Sequence, residues 1–286
     1  GNTIVRPLRR LAAAADKVRS APGQVRYIPE FRGRNDEIGD LAADLNAMTE
    51  ALSQRLDAIE SFAADVAHEL KNPLTSLRSA VETAGRIKDA DQQRRLMDII
   101  QDDVKRLDRL ISDISDASRL DAEMSRDESD KIELNRMLVA LVEVHHTSGS
   151  HGDRKIAFEE TSKGPFTILG NEGRVVQVLQ NLITNAFSFS PLEGLVMVRI
   201  GRDRDWVIVT IEDEGPGIPP GSLEKIFDRF YSERPETEQF GTHSGLGLSI
   251  SRQIVVAHQG KIEAENRTDL HRKVLGARFI VRLPLS

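Results

Sequence analysis

One histidine lies in the string Phe62-Ala63-Ala64-Asp65-Val66-Ala67-His68-Glu69-Leu70-Lys71-Asn72-Pro73, within a stretch of helix-forming residues. At helical spacing His68 sits on the edge of an apolar seam, with Glu69 beside it and Asn72 one turn later. An unprotonated imidazole nitrogen can attack phosphorus, and an adjacent carboxylate can hold the other ring proton and take up charge as the bond forms. A histidine beside a glutamate is more often a surface residue of a charged helix, so the surrounding string has to carry the assignment.

A second constellation lies far downstream. Asn181-Leu182-Ile183-Thr184-Asn185 places two carboxamides at i and i+4 on one helix face. A carboxamide oxygen is a hard ligand suited to Mg²⁺, an ion that takes few protein ligands beside phosphate oxygens; taken alone, the pair is more often a capping or surface feature. Asp213-Glu214-Gly215-Pro216-Gly217-Ile218 ends a strand, and Gly241-Thr242-His243-Ser244-Gly245-Leu246-Gly247 runs into a helix. Glycines permit close backbone approach and a helix start offers amides to phosphate, although each run by itself reads as an ordinary turn. No Gly-Lys-Ser/Thr follows, which excludes a Walker loop, and no dinucleotide fingerprint stands between a strand and a helix. Asp213 could accept the amino hydrogen of adenine or simply cap its turn.

These residues need elements to hold them. Residues 3–20 form an amphipathic stretch, followed by an extended connector at 21–35 and a new helix from Asp36-Glu37-Ile38-Gly39. Leu41, Leu45, Met48, Leu52, Leu56, Ile59, Phe62 and Val66 then recur every three or four residues, a coiled-coil-like seam. Pro73 falls inside the pattern, where a bend is expected. After a polar segment at 88–93 a second apolar period runs from Leu96 to Leu120, giving an antiparallel helical hairpin, and two hairpins make a four-helix bundle. A seam this long leaves apolar surface that one copy cannot bury, which predicts a homodimer. The charged stretch Arg126 to Asp130 reads as a linker. Beyond it the texture alternates: helices at 133–147, 171–188 and 245–258, and strands near 155–159, 166–169, 196–202, 206–213, 261–265 and 278–283, an α/β sandwich with one sheet.

Composition narrows the function. The 286 residues suffice for more than one core, and 39 Lys+Arg against 45 Asp+Glu leave a net charge of −6, which argues against a nucleic-acid partner bound through bulk positive charge. With no cysteine there is no disulfide framework, no thiolate zinc site and no thiol nucleophile. No run of about 18 apolar residues and no signal peptide is found, so any membrane attachment is expected through a segment absent from this chain, which begins with Gly1.

Taken in order, these strings resemble the sensor histidine kinases of two-component signalling over nearly the whole chain. The segment around His68 resembles the family's H-box and Asn181 to Asn185 its N-box. Asp213 to Gly217 resembles the G1-box, Ile226 to Tyr231 the F-box, and Gly245 to Gly247 the G2-box. The opening residues resemble a HAMP signal-relay module. Within the family, Ser61 to Leu70 and Gly245 to Gln253 look most like the envelope-sensing ChvG/BvrS type. The resemblance implies an α+β multidomain protein: a HAMP-like module at 1–57, a dimerisation and phosphotransfer hairpin at 58–128, and an ATP-binding domain of the Bergerat type at 129–286. It further implies ATP-dependent phosphorylation of His68, polarisation of that histidine by Glu69, and a water oriented by Asn72 when a partner regulator is dephosphorylated. Asn185 would bind Mg²⁺ and Asn181 would line the phosphate side. Asp213 would read adenine, while Gly215, Gly217, Gly245 and Gly247 would shape the nucleotide loops and Ser232 to Thr242 would form a mobile lid. The implied partner is the receiver domain of a response regulator, and the implied location is the cytoplasmic side of an inner membrane. Ser188 stands where the family often has Lys or Arg, leaving Arg229 or His243 to supply a phosphate contact. The competing implication is a catalytically silent ATP-binding scaffold; another Bergerat-type ATPase or serine kinase would lack the helical hairpin.

Overall fold

Long helices form where the apolar period runs, and strands where alternation replaces it. The structure is a computed structural model that describes residues 4–20, 36–87, 89–123, 130–148, 154–231 and 245–286. The connector 21–35, most of the Arg126–Asp130 linker and the Ser232–Thr242 lid with His243 lie outside the described residues. The chain divides into two compact units, 1–75 and 76–286, each described here by itself.

In the first unit, α1 (Val5–Ser20) and the opening of α2 (Glu37–Ala84) share a small core of Leu11, Ala14 and Ala42, with Ile38 and Leu45 packed against it. Asp36 starts α2 by accepting the Gly39 amide on its carboxylate, 3.2 Å, which satisfies one of the free amides of the first turn. The helix runs through Pro73 without a break. Proline removes one backbone donor, and forty-eight residues of otherwise helical sequence carry the helix past it.

The second unit takes the last turns of α2, then α3 (Ala90–Glu123). The turn between them is shorter than the polar composition of 88–93 suggested, because Asp89 accepts the amides of Asp91 and Gln92 and so starts α3 early. Two long helices joined by a short turn result, in the order expected. The remainder comprises β1 (Asp130–Glu133), α4 (Leu134–Ser148), β2 (Lys155–Glu160), β3 (Thr167–Gly170), α5 (Glu172–Phe189), β4 (Leu195–Asp203), β5 (Trp206–Glu212), a 3₁₀ turn (Lys225–Phe227), α6 (Gly247–Ala257), β6 (Lys261–Thr268) and β7 (Val274–Pro284).

Five strands form a mixed sheet in the order β2-β4-β5-β7-β6, with β2 parallel to β4 and the other neighbours antiparallel. The single sheet expected from sequence is corrected by a second, two-stranded one: β1 pairs antiparallel with β3. Four residues of the form Asp-Lys-Ile-Glu bury only Ile132, so the charged stretch hid a strand that exists by virtue of its distant partner. One face of the large sheet is apolar. Val196, Val198, Ile200, Val207, Val209, Ile211, Phe279, Val281 and Leu283 are buried, as are Leu179, Leu182, Ile183 and Ala186 of α5 and Ile250, Ile254 and Val255 of α6. The opposite face carries paired charges: Arg199 meets Glu159, Arg278 meets Glu265, and Arg282 meets Glu263.

Candidate functional site

In the first unit, His68 is exposed on α2, Glu69 is half-buried and Asn72 is exposed. Among the described residues none covers the ring, and an exposed imidazole is what a nucleophile requires. Pro73, next in the chain, is buried.

The second unit gathers the other sequence-selected residues around the C-terminal end of β5 and the facing ends of α5 and α6. α5 starts at Asn171, whose side chain accepts the Arg174 amide at 3.1 Å. Asn171's own amide donates to His258 Nε2 at 3.1 Å; with Nε2 accepting, Nδ1 carries the proton and donates to Ile254 O at 2.8 Å. One imidazole thus joins the end of α6 to the start of α5. Farther along α5, Asn181 donates from its amide nitrogen to Gly247 O at 3.1 Å and to Ser251 Oγ at 3.4 Å. It therefore ties the carboxamide pair to the glycine run at the start of α6. Asn185, one turn on, is half-buried and makes no side-chain hydrogen bond to another described residue. A hard oxygen donor left without a protein partner suits a cation whose remaining ligands are phosphate and water. Among the described residues no cluster of three His, Cys, Asp or Glu side chains could hold a metal by itself.

Asp213 is 2% exposed at the end of β5. Its Oδ1 accepts two backbone amides, Gly215 at 2.8 Å and Ala277 at 2.9 Å, and Oδ2 takes no hydrogen bond from another described residue. Burial pushes the carboxyl above the ordinary aspartate value, against the pull of those amides and of Arg267. The turn after it needs glycine at 217, which has φ +78°; a Cβ there would run into Val274 and lie 2.7 Å from Asn266 Oδ1. Gly245 has φ +75° and lies against the Phe230 backbone, with Phe230 N donating to Gly245 O at 2.9 Å. Phe227 instead joins the core, edge-on to Phe279 with ring centroids 6.4 Å apart.

Several contributors lacked a sequence signal. Glu212, adjacent to Asp213, is 3% exposed and meets Arg278 at 2.6 Å, Arg199 at 2.8 Å and Arg267 at 3.2 Å. Burial pushes its carboxyl up, but the hydrogen bonds from Arg199 and Arg278 outweigh this and hold it below the ordinary glutamate value. A charged residue closing the largely apolar run of β5, directly before Asp213, was the one available hint.

Comparison with known proteins places these motifs. Residues 1–54 match the HAMP domain, 58–123 the His Kinase A (phospho-acceptor) domain, and 170–286 the histidine kinase-, DNA gyrase B- and HSP90-like ATPase. The chain is 51% identical over 290 residues to the sensor protein ChvG of Rhizobium meliloti, covering 99% of this chain and 50% of that one. It is 50% identical over 295 residues to ChvG of Agrobacterium fabrum, covering 100% and 49%. The chain thus spans about half the length of these curated relatives. Among solved structures, histidine kinase ThkA in complex with response regulator protein TrrA aligns with a TM-score of 0.61 at 25% identity, over 82% of this chain and 64% of that one. With the three domains in this order and half of all positions shared with ChvG, the chain belongs to the sensor histidine kinases and is ChvG-like.

Proposed function

We propose that this chain is the cytoplasmic portion of an inner-membrane sensor that transfers the γ-phosphoryl group of ATP to His68 and then to an aspartate of a response regulator's receiver domain. The domain bounds follow the sequence reading: relay at 1–57, phosphotransfer hairpin at 58–128 and ATP-binding domain at 129–286. Among the described residues no helix is long and apolar enough to cross a membrane.

The observation that carries the reading is the way Asp213 is held. Two backbone amides occupy Oδ1 and leave Oδ2 of a nearly fully buried carboxyl for a donor such as the adenine amino group. Asn185, with phosphate oxygens, would hold Mg²⁺; the ion, when bound, offsets phosphate charge and orients the triphosphate. Asn181 holds the start of α6 so that its amides face the phosphate side, and Gly215, Gly217, Gly245 and Gly247 shape the loops around it. On α2 a neutral His68 nitrogen forms the P–N bond as the P–O bond to ADP breaks, and Glu69 steadies the charge that develops on the ring. Asn72, exposed one turn on, would orient water for dephosphorylation of the regulator. The exposed Ile59, Leu74 and Val81 of α2 and Met97, Val104 and Ile111 of α3 support a homodimer, since a second hairpin would cover them.

Incubation with γ-labelled ATP and Mg²⁺ tests the reading. Acid-labile label lost in His68→Gln is expected; label that survives acid, or is undiminished in that variant, overturns it.

A further inference from the structure

The turn that carries Asp213 is gripped at both ends by two consecutive residues of β6, neither of which belongs to any of the motifs. Arg267 donates to the Asp213 main-chain oxygen from Nη1, 2.7 Å, while its Nε lies 3.2 Å from the Glu212 carboxylate. Glu212 is itself held by Arg199 and Arg278, so the direction of the Arg267 guanidinium is fixed before it reaches Asp213. Asn266, one residue earlier, holds the far end: its Oδ1 accepts the Ile218 amide at 2.7 Å and its Nδ2 donates to Ile218 O at 2.8 Å. Adjacent strand residues point to opposite faces, and here one side chain reaches the start of the Asp213–Ile218 turn and the other its end.

We infer that Asn266 and Arg267 are positioning residues that aim the Asp213 carboxylate, and so set the preference for adenine over other purines. Asp213 has its Oδ1 fixed by Gly215 and Ala277; the aim of Oδ2 then depends on where the main chain at 213 and the glycine turn at 215–217 lie, and these are the atoms that the pair restrains. Neither side chain touches the nucleotide in this scheme. Both act through the main chain, where a small displacement misdirects a hydrogen bond that depends on alignment.

This inference rests on the adenine-reading role proposed for Asp213, and the experiment separates the two. Binding to the whole chain is measured by calorimetry with Mg²⁺ and the β,γ-imido triphosphates of adenosine and of purine riboside, which lacks the 6-amino group. Thermal unfolding is recorded alongside. The unsubstituted chain prefers the adenosine compound by about tenfold or more, the value of one charge-assisted hydrogen bond. Arg267→Met and Asn266→Leu are each expected to bring that ratio most of the way to one while leaving the affinity for the purine riboside compound unchanged; Arg267→Lys, which keeps a cationic donor, retains part of it. Asp213→Asn reports on the underlying reading: an unchanged ratio there removes Asp213 as the adenine reader, and the inference with it. If Asp213→Asn abolishes the preference while Arg267→Met and Asn266→Leu keep it and only lower the melting temperature, the two residues merely hold the sheet and the inference alone is overturned. Should Arg267→Met fail to fold, the Asn266→Leu ratio decides the outcome.

Discussion

His68 and Asp213 are anchored in opposite ways. Near His68, α2 carries local hydrogen bonds such as Thr75 Oγ1 to Lys71 O and Arg78 to Glu82, and the imidazole is exposed. Asp213 is held by partners 54 and 64 positions away and is nearly sealed. On the function proposed above, His68 would meet two reactants in succession and gain from accessibility, whereas Asp213 would distinguish one base from another and gain from being arranged in advance. On that proposal the chain uses its tertiary structure for recognition and leaves the nucleophile to a single helix.

That contrast can be broken by mutation. The largest expected effect is functional and without structural cost: His68→Gln abolishes the acid-labile label yet leaves the unfolding curve and nucleotide affinity unchanged, since the ring is exposed on α2. A drop in melting temperature in this variant would contradict the open placement of His68. Next in size, Leu182→Ala empties a fully buried position of α5 and should cost roughly 2–5 kcal/mol in chemical denaturation, with loss of nucleotide binding following from the neighbouring Asn181 and Asn185.

Glu212→Gln sharpens the comparison through pH. Because the native carboxyl lies below its ordinary value of 4.5, its stabilising contribution is present above that value and disappears as pH falls through the lower native one. The variant should be less stable by about 1–3 kcal/mol near pH 7, the worth of a charged hydrogen bond, and the gap should close as pH falls from 4.5 through the lower native value. Asp213 has the opposite sign. Its native value is raised above 3.8, so its ionised form opposes folding at neutral pH; its stabilising contribution is present below pH 3.8 and is lost as pH rises through the raised native value. If Asp213 reads adenine as proposed, through its ionised carboxylate, adenosine triphosphate affinity should decline on acidification before an unperturbed aspartate would titrate, and calorimetry between pH 7 and 4 would show it.

Smaller effects belong to local devices. Asn171→Ala removes the N-cap of α5 and should cost about 1 kcal/mol, read from the denaturation midpoint. Arg78→Ala breaks an ion pair between side chains that are 82% and 58% exposed on α2, and the expected change is at most about 0.5 kcal/mol. Together these variants rank the two regions: substitutions on α2 near His68 alter chemistry more than stability, and those around Asp213 alter both.

Most elements were legible before the structure was known. The period of Leu41 to Val66 and of Leu96 to Leu120 marked α2 and α3, and alternating apolar residues marked β4, β5 and β7 within a few positions. β1 was missed because Asp130 to Glu133 offers a single buried side chain to any pattern. The motif residues were legible as types: carboxamides four apart, an aspartate before glycines, a histidine beside a glutamate. Their supports were not. Nothing about Asn266 announces a partner 48 positions earlier, nor does Glu212 reveal that three arginines from three strands converge on it.

By itself the sequence marked most of the helices and strands and offered side chains whose types suit phosphate, magnesium or adenine, because periodicity and residue chemistry are local properties. Only the tertiary structure decided which carboxylate oxygen is left for a ligand, which strand closes the small sheet and which residues of β6 grip the aspartate turn. Those outcomes depend on hydrogen bonds between distant positions, whose geometry exists only once the sheet has registered its strands.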